Sequence, residues 1–423
     1  MSIKNLLKAL SISTALAAAG GASAETLNIL VEGGGEQLQK AIAEKFQKET
    51  GNEVKFTVVP YTGVFEKLTA EIASGSSNYD VATIDVIWMA KFAKSAEPLD
   101  ALFTDAVKAD LPPALLTDAK IGGSYVGMPA WANAEILFYR KDMFADPKEQ
   151  SAFKAKFTYD LAPPKTWQQF RDVAVFFTRS TKGDGKIDFF GTDVKGANAE
   201  EWMATVLQAG SPGVVLDDGG KVIVDNAAHL KALQFYADVH CKDKATPDDV
   251  VQMDWPTSQN LFYQGKTAMM RFWAHAYRLT PKDSKVDGKV GVAPMIAGDA
   301  GIGAIPGPWY NIVPKTGAHK DLAKQFVAYA FKNNVLGIEA PLGLAAANSA
   351  YKAYQDKPGF ENFAPLLSTL AGPATKGRPM VANWQEIVDE AVVPMLQEAL
   401  ACKADLPKLL ADTKAKIEKI QSK

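Results

Sequence analysis

Residues able to do catalytic or metal chemistry are present in this chain, but not at the spacings that chemistry requires. The run holding Lys182, Asp184, Lys186 and Asp188 is similar to a calcium loop, yet lysines stand where oxygen ligands are needed, so a turn is expected there. Gly33, Gly34 and Gly35 lack the third glycine position of a dinucleotide fingerprint, and there is no Walker A sequence. No Gly-x-Ser-x-Gly elbow, His-Glu-x-x-His pair or Cys/His cluster occurs, so neither a metal nor a cofactor is expected. The carboxylate pairs Asp217–Asp218 and Asp248–Asp249 fall in loop-like sequence, where solvated turns are expected rather than a glycosidase dyad. Aromatic residues make up 10% of the chain and include eight Trp, a generous supply that is not diagnostic by itself.

The elements that would position any site read as α/β. Thr26–Val31 is a short apolar run suited to a buried parallel strand, broken by Gly33–Gly35. Leu38, Ala41, Ile42, Lys45 and Phe46 then recur at helical spacing until Gly51. A strand over 54–59, a helix over 64–73 and a strand over 81–84 complete β-α-β-α-β, the opening of a doubly wound sheet. Ligands of such sheets lie at the carboxyl ends of the strands, here loops 32–36 and 85–89. Residues 126–131 read as a bend and 136–139 as a strand leaving the first sheet. Helices are expected after Thr166, a good N-cap, and near 199–209, 226–240 and 320–332. Strands are expected at 290–294 and 311–314, with a largely helical C-terminus from Trp384. The 423 residues exceed one ordinary core, so two domains are expected, and the absence of a Pro/Gly-rich linker suggests that they interleave.

Composition narrows the setting. The formal net charge of −2 leaves no basic excess for phosphates, so nucleic acid is not an expected partner. Lys4 and Lys8, an apolar run to Ala19 and the small-x-small sequence Ala22-Ser23-Ala24 read as a signal peptide over 1–24, cleaved before Glu25, which places the mature protein in a periplasm. There, Cys241 and Cys402 invite a disulfide, with two unpaired thiols as the alternative.

Four ordered features carry a family resemblance. Strand, Gly-rich loop and helix (27–46) precede Tyr79-Asp80-Val81, Asp85 and the segment Trp88–Phe92. Gly127-Met128-Pro129 leads to the crossover Leu137–Phe144. Phe262, Gly265, Lys266, Ala268, Met269 and Trp273 follow an F-x-x-G-K-x-A-M…W pattern. Gly307–Pro314 then precedes a helix and the turn Pro341-Leu342-Gly343. Together these resemble the family-1 extracellular solute-binding proteins of ABC importers, the group that includes maltose-binding protein. The resemblance implies two Rossmann-like lobes joined by hinge strands, the type II periplasmic binding fold. Lobe one would take 25–136 plus 292–335, and lobe two 137–291 plus 336–423, with crossovers near 132–137 and 290–296. It also implies a non-catalytic receptor, expected as a monomer, which carries a carbohydrate or polyol to an inner-membrane permease. A secreted hydrolase or lyase, or a partner of a chemoreceptor, is the alternative.

Sugars present C–H faces and rims of hydroxyls, so a site needs aromatic faces and groups that both donate and accept. Trp273 aligns with the family's stacking aromatic in lobe two. Trp88 follows the third strand, and Trp309 and Tyr310 sit in a Gly-Pro-flanked loop entering a strand. Glu32, Gly34 and Gly35 occupy the first strand–helix loop, whose N–H groups can face a ligand oxygen. Asp85 is a candidate hydroxyl acceptor. Trp131 and Asn133 straddle the first crossover, Glu201 and Trp202 begin a lobe-two helix, and His275 follows Trp273. Arg378 and Trp384 border the last segment. An arginine in the cleft (Arg271, Arg278 or Arg378) would favour a ligand with an acidic substituent.

Overall fold

The computed structural model describes residues 24–422; the expected signal segment lies before Ala24, outside the described residues. The first sheet begins with β1 (Thr26–Glu32), whose Leu27, Ile29, Leu30 and Val31 are all buried, as a central parallel strand covered on both faces requires. Helix α1 (Gly35–Thr50) buries Leu38, Gln39, Ile42, Ala43 and Phe46, and stops where Gly51 turns left-handed (φ 76°). β2 (Glu53–Val59), α2 (Tyr61–Ser74) and β3 (Val81–Asp85) follow as expected.

The stretch expected as a bend contains strand β4 (Met128–Trp131), which ends the sheet. Pro129 has no N–H to donate, and an edge strand is where a sheet tolerates that loss. The chain then enters the second sheet as β5 (Glu135–Arg140), flanked by antiparallel β6 (Met269–Trp273) and β7 (Val290–Ala293). It returns as β8 (Trp309–Ile312), two residues earlier than the sequence suggested. That shift pairs Trp309 with both Asp85 and Trp131. The five-stranded order is β2-β1-β3-β8-β4, with β8 antiparallel to both of its neighbours.

Helices pack on both sheets: α3 (Trp167–Phe177), α4 (Glu200–Gln208), α5 (Ala227–Cys241), α6 (Trp255–Tyr263) and α7 (Lys320–Lys332). Thr166 caps α3, its hydroxyl accepting from the Gln169 N–H at 3.3 Å. Near the C-terminus, α8 (Trp384–Ile387) runs through a π-helical turn (Val388–Val392) into α9 (Val393–Leu400), and α10 (Leu406–Gln421) follows. Pro394, at the start of α9, has no N–H and crowds the preceding turn, which is a physical reason for the wider turn just before it.

Two hydrophobic clusters form: the first gathers the first sheet and one face of the second (Ile136, Phe138, Met270, Phe272), and the second packs the other face of the second sheet (Leu137, Met269). Residues 336–370, expected with the second lobe, contribute Ile338, Leu344, Tyr351, Phe363 and Leu370 to the cluster that spans both sheets. Trp384 and all later helices pack in the second. The chain passes between the sheets at 132–134 and again between β7 and β8. Cys241 and Cys402 are disulfide-bonded, with Cα atoms 5.4 Å apart, so the alternative of two free thiols does not hold.

Candidate functional site

Between the sheets lies a cleft of about 430 Å³, of the size that holds a small ligand. Its first wall comes from the carboxyl ends of parallel strands: Glu32 at the end of β1, Gly35 opening α1, Tyr61 opening α2 and Asp85 ending β3. Trp131 and Trp309, neighbours in the sheet, stack with ring centres 5.4 Å apart and planes 21° apart. On the other wall Trp255, first residue of α6, and Trp273, last of β6, meet edge-on at 5.6 Å. The cleft thus has an aromatic pair from each side.

Close approach of backbone and ring holds these faces in place. A Cβ on Gly307 would lie 2.7 Å from the Trp273 ring, and one on Gly35 would lie 2.7 Å from the Trp131 ring. Only glycine leaves room for either indole. Behind the rings, Trp255 donates through Nε1 to Glu135 at 3.2 Å. Burial, together with the charge of Glu201 close by, raises the Glu135 pKa.

The polar groups divide clearly. The Tyr61 hydroxyl donates to Asp85 Oδ2 at 3.1 Å; burial and the adjacent Asp85 carboxylate push the phenol pKa upward. Burial, then the charges of Asp85 and Glu36, raise Glu32 to about 7, and its Oε2 is buried without a hydrogen-bond partner among the described residues. Asn133 Nδ2 donates to His275 Nδ1 at 2.8 Å, and Asn133 Oδ1 accepts from the Ala134 N–H at 3.0 Å, which leaves the imidazole proton on Nε2. Burial lowers His275 to about 4, so the ring is neutral near pH 7. Arg378 lies between Glu200 (Nη1 to Oε1, 3.5 Å) and Asp85 (Nη2 to Oδ1, 3.9 Å), and also donates to the Pro306 carbonyl at 3.2 Å.

Of the residues singled out in the sequence, Gly35, Asp85, Trp131, Asn133, Trp273, His275, Trp309, Arg378 and Trp384 line the cleft. Glu32 lines it too, and the others are placed elsewhere. Tyr310 is fully buried and donates to the Leu115 carbonyl at 3.0 Å, because alternation along β8 turns it to the opposite face from Trp309. Trp88 lies one layer behind, its ring 4.8 Å from Tyr61 and 5.9 Å from Trp309. Gly34 donates its N–H to Glu36 Oε2 at 2.6 Å, so that donor is already engaged. Trp202 is core, and Glu201 is buried in an ion network with Lys195 (2.7 Å) and Arg271 (3.2 Å). Burial opposes ionisation of Glu201, but the two cations outweigh it and hold its pKa down.

Sequence reasoning missed Tyr61, Trp255 and Glu200, and it considered Glu32 only as part of a loop. Tyr61 had a signal, since it follows Pro60 at the carboxyl end of a parallel strand. Trp255 had one too: Asp254 caps α6, its side chain accepting from the Thr257 N–H at 2.9 Å, which sets Trp255 at the helix tip. Asp389 lines the cleft from the π-helical turn, a feature with no sequence signature beyond Pro394.

A two-lobed α/β fold with its polar and aromatic groups gathered between the lobes defines a ligand-binding protein of the periplasmic type. Residues 30–335 match the bacterial extracellular solute-binding protein family, and the chain belongs to it. It is 29% identical over 314 residues to a "probable ABC transporter-binding protein" of Deinococcus radiodurans, covering 71% of this chain and 70% of that one. A mannitol-binding protein of Pseudomonas aeruginosa is 25% identical over 342 residues, 78% of this chain and 73% of the relative. Among solved structures, maltose-bound T. maritima MalE3 superposes with a TM-score of 0.74 at 25% identity, over 94% of this chain and all of that one. Among the described residues, no helix is long and apolar enough to cross a membrane.

Proposed function

We propose that this protein is the capture receptor of an ABC importer, which closes two lobes around a sugar or polyol and presents the closed form to an inner-membrane permease. The carrying observation is the pair of aromatic walls, Trp131–Trp309 and Trp255–Trp273, facing one cleft from separate sheets with donors and acceptors between them. Such faces suit the C–H surface of a sugar, and Glu32, Asp85, Asn133 and His275 suit its hydroxyls. Relatives named for mannitol and arabinooligosaccharide, and a neighbour solved with ribitol, support the ligand class. The first lobe is built on the five-stranded sheet and the second on the three-stranded sheet, with crossovers at 132–134 and between β7 and β8. A ligand that touches both walls favours the closed arrangement by its extra contacts there.

A thermal-shift screen over sugars, polyols and sugar acids tests the reading, since a ligand that binds only the folded form raises the unfolding temperature. Saturable stabilisation by a sugar or polyol, at one ligand per chain and without products, is expected. Turnover of the ligand would replace this reading with the enzymatic one.

A further inference from the structure

We infer that the cleft is a charge filter: it takes hydroxyl-rich ligands that carry no acidic group, and Glu32 is the residue that sets the filter. The inference rests on the sugar-receptor reading and goes further by fixing the charge class of its ligand.

Among the described residues, four carboxylates line the cleft, Glu32, Asp85, Glu200 and Asp389, against one cation, Arg378. An arginine in a cleft ordinarily signals an anionic ligand, but this one is already engaged. Its guanidinium reaches Glu200, Asp85 and the Pro306 carbonyl. Its buried Nε has no partner among the described residues, yet one N–H held between two carboxylates serves a hydroxyl oxygen, and the charge is already balanced. The other two candidate arginines are committed elsewhere, Arg271 to Glu201 and Arg278 to the carbonyls of Ile338 and Ala340. His275 lines the cleft as a neutral ring.

Glu32 contributes the decisive chemistry. The Tyr61 hydroxyl, which also lines the cleft, donates to Asp85, and Glu32 Oε2 is buried with no donor among the described residues. A ligand hydroxyl supplies that donor. A ligand carboxylate or phosphate supplies none, and it brings like charge into a desolvated site, which costs several kcal/mol on general grounds.

The test is calorimetric titration at pH 8 of the full chain and of Glu32→Gln and Glu32→Asp. The probes are mannitol, ribitol and maltose, each against its aldonic acid (mannonate, ribonate and maltobionate). Whichever neutral probe binds should do so at least about a hundredfold tighter than its acid. Glu32→Gln should narrow that gap at least about tenfold, and Glu32→Asp, which keeps the charge, should retain most of it. An acid binding within tenfold of its neutral partner, or a gap unchanged in Glu32→Gln, overturns the filter and leaves the receptor reading standing. Binding by none of the six probes overturns both.

Discussion

Glu32→Gln should make the unliganded protein more stable, and only at neutral to alkaline pH. Burial and two neighbouring carboxylates raise Glu32 from the ordinary 4.5 to about 7. The folded state therefore prefers the neutral acid. Below pH 4.5 the side chain is protonated whether the chain is folded or not, and carries no penalty. Between 4.5 and 7 the unfolded chain ionises first, and the cost of keeping Glu32 in the cleft grows; above 7 it is fully present. The displacement corresponds to a ceiling of about 3 kcal/mol. Because solvent reaches part of the side chain, about 1–2 kcal/mol is the better expectation. Urea unfolding followed by Trp fluorescence at pH 4.5 and pH 8 measures it, with the variant gaining only at pH 8. The other raised carboxyls, Asp118, Glu135, Asp193 and Glu200, are common to both proteins and cancel in the difference. Equal stability of the two proteins at pH 8, or a gain independent of pH, would refute the electrostatic account. A confirmed gain would mean that the cleft holds a carboxylate at the expense of stability, as expected of a group kept for binding.

Four further outcomes follow from the geometry. Trp273→Ala should abolish ligand-induced thermal stabilisation while leaving the far-UV spectrum unchanged. Gly307→Ala, which drives a Cβ to 2.7 Å from the same ring, should weaken binding about tenfold or more, as read by titration. Glu201→Gln should cost about 3 kcal/mol or more in urea midpoint analysis, because Lys195 and Arg271 would keep buried charge with a lost partner. Reducing Cys241–Cys402 releases a link across 161 positions, worth up to about 5 kcal/mol by chain entropy. Ligand affinity should survive reduction, since neither cysteine lines the cleft.

How far the sequence reveals this protein depends on the range over which each feature is decided. Strand β1 and helix α1 are legible because local pattern and Gly51 suffice to define them. Strand β4 is not, since Pro129 argues against a strand until β8 arrives from far along the chain to pair with it. The face shown by adjacent residues is set by the same kind of pairing: Trp309 reaches the cleft and Tyr310 the core, although the sequence offers both equally. Glu200 and Glu201 divide likewise at the start of α4, where a turn of about 100° per residue sends one to Arg378 and the other to a buried ion network. Arg378 is the clearest case. Its presence in the cleft could be anticipated, and by itself it argues for an acidic ligand. The carboxylates that reverse that argument, Asp85 and Glu200, lie far earlier in the chain and on opposite sides of the hinge. Residue type identifies the groups able to bind a ligand, but the charge of that ligand follows from which of them are already paired, and that is a property of the fold.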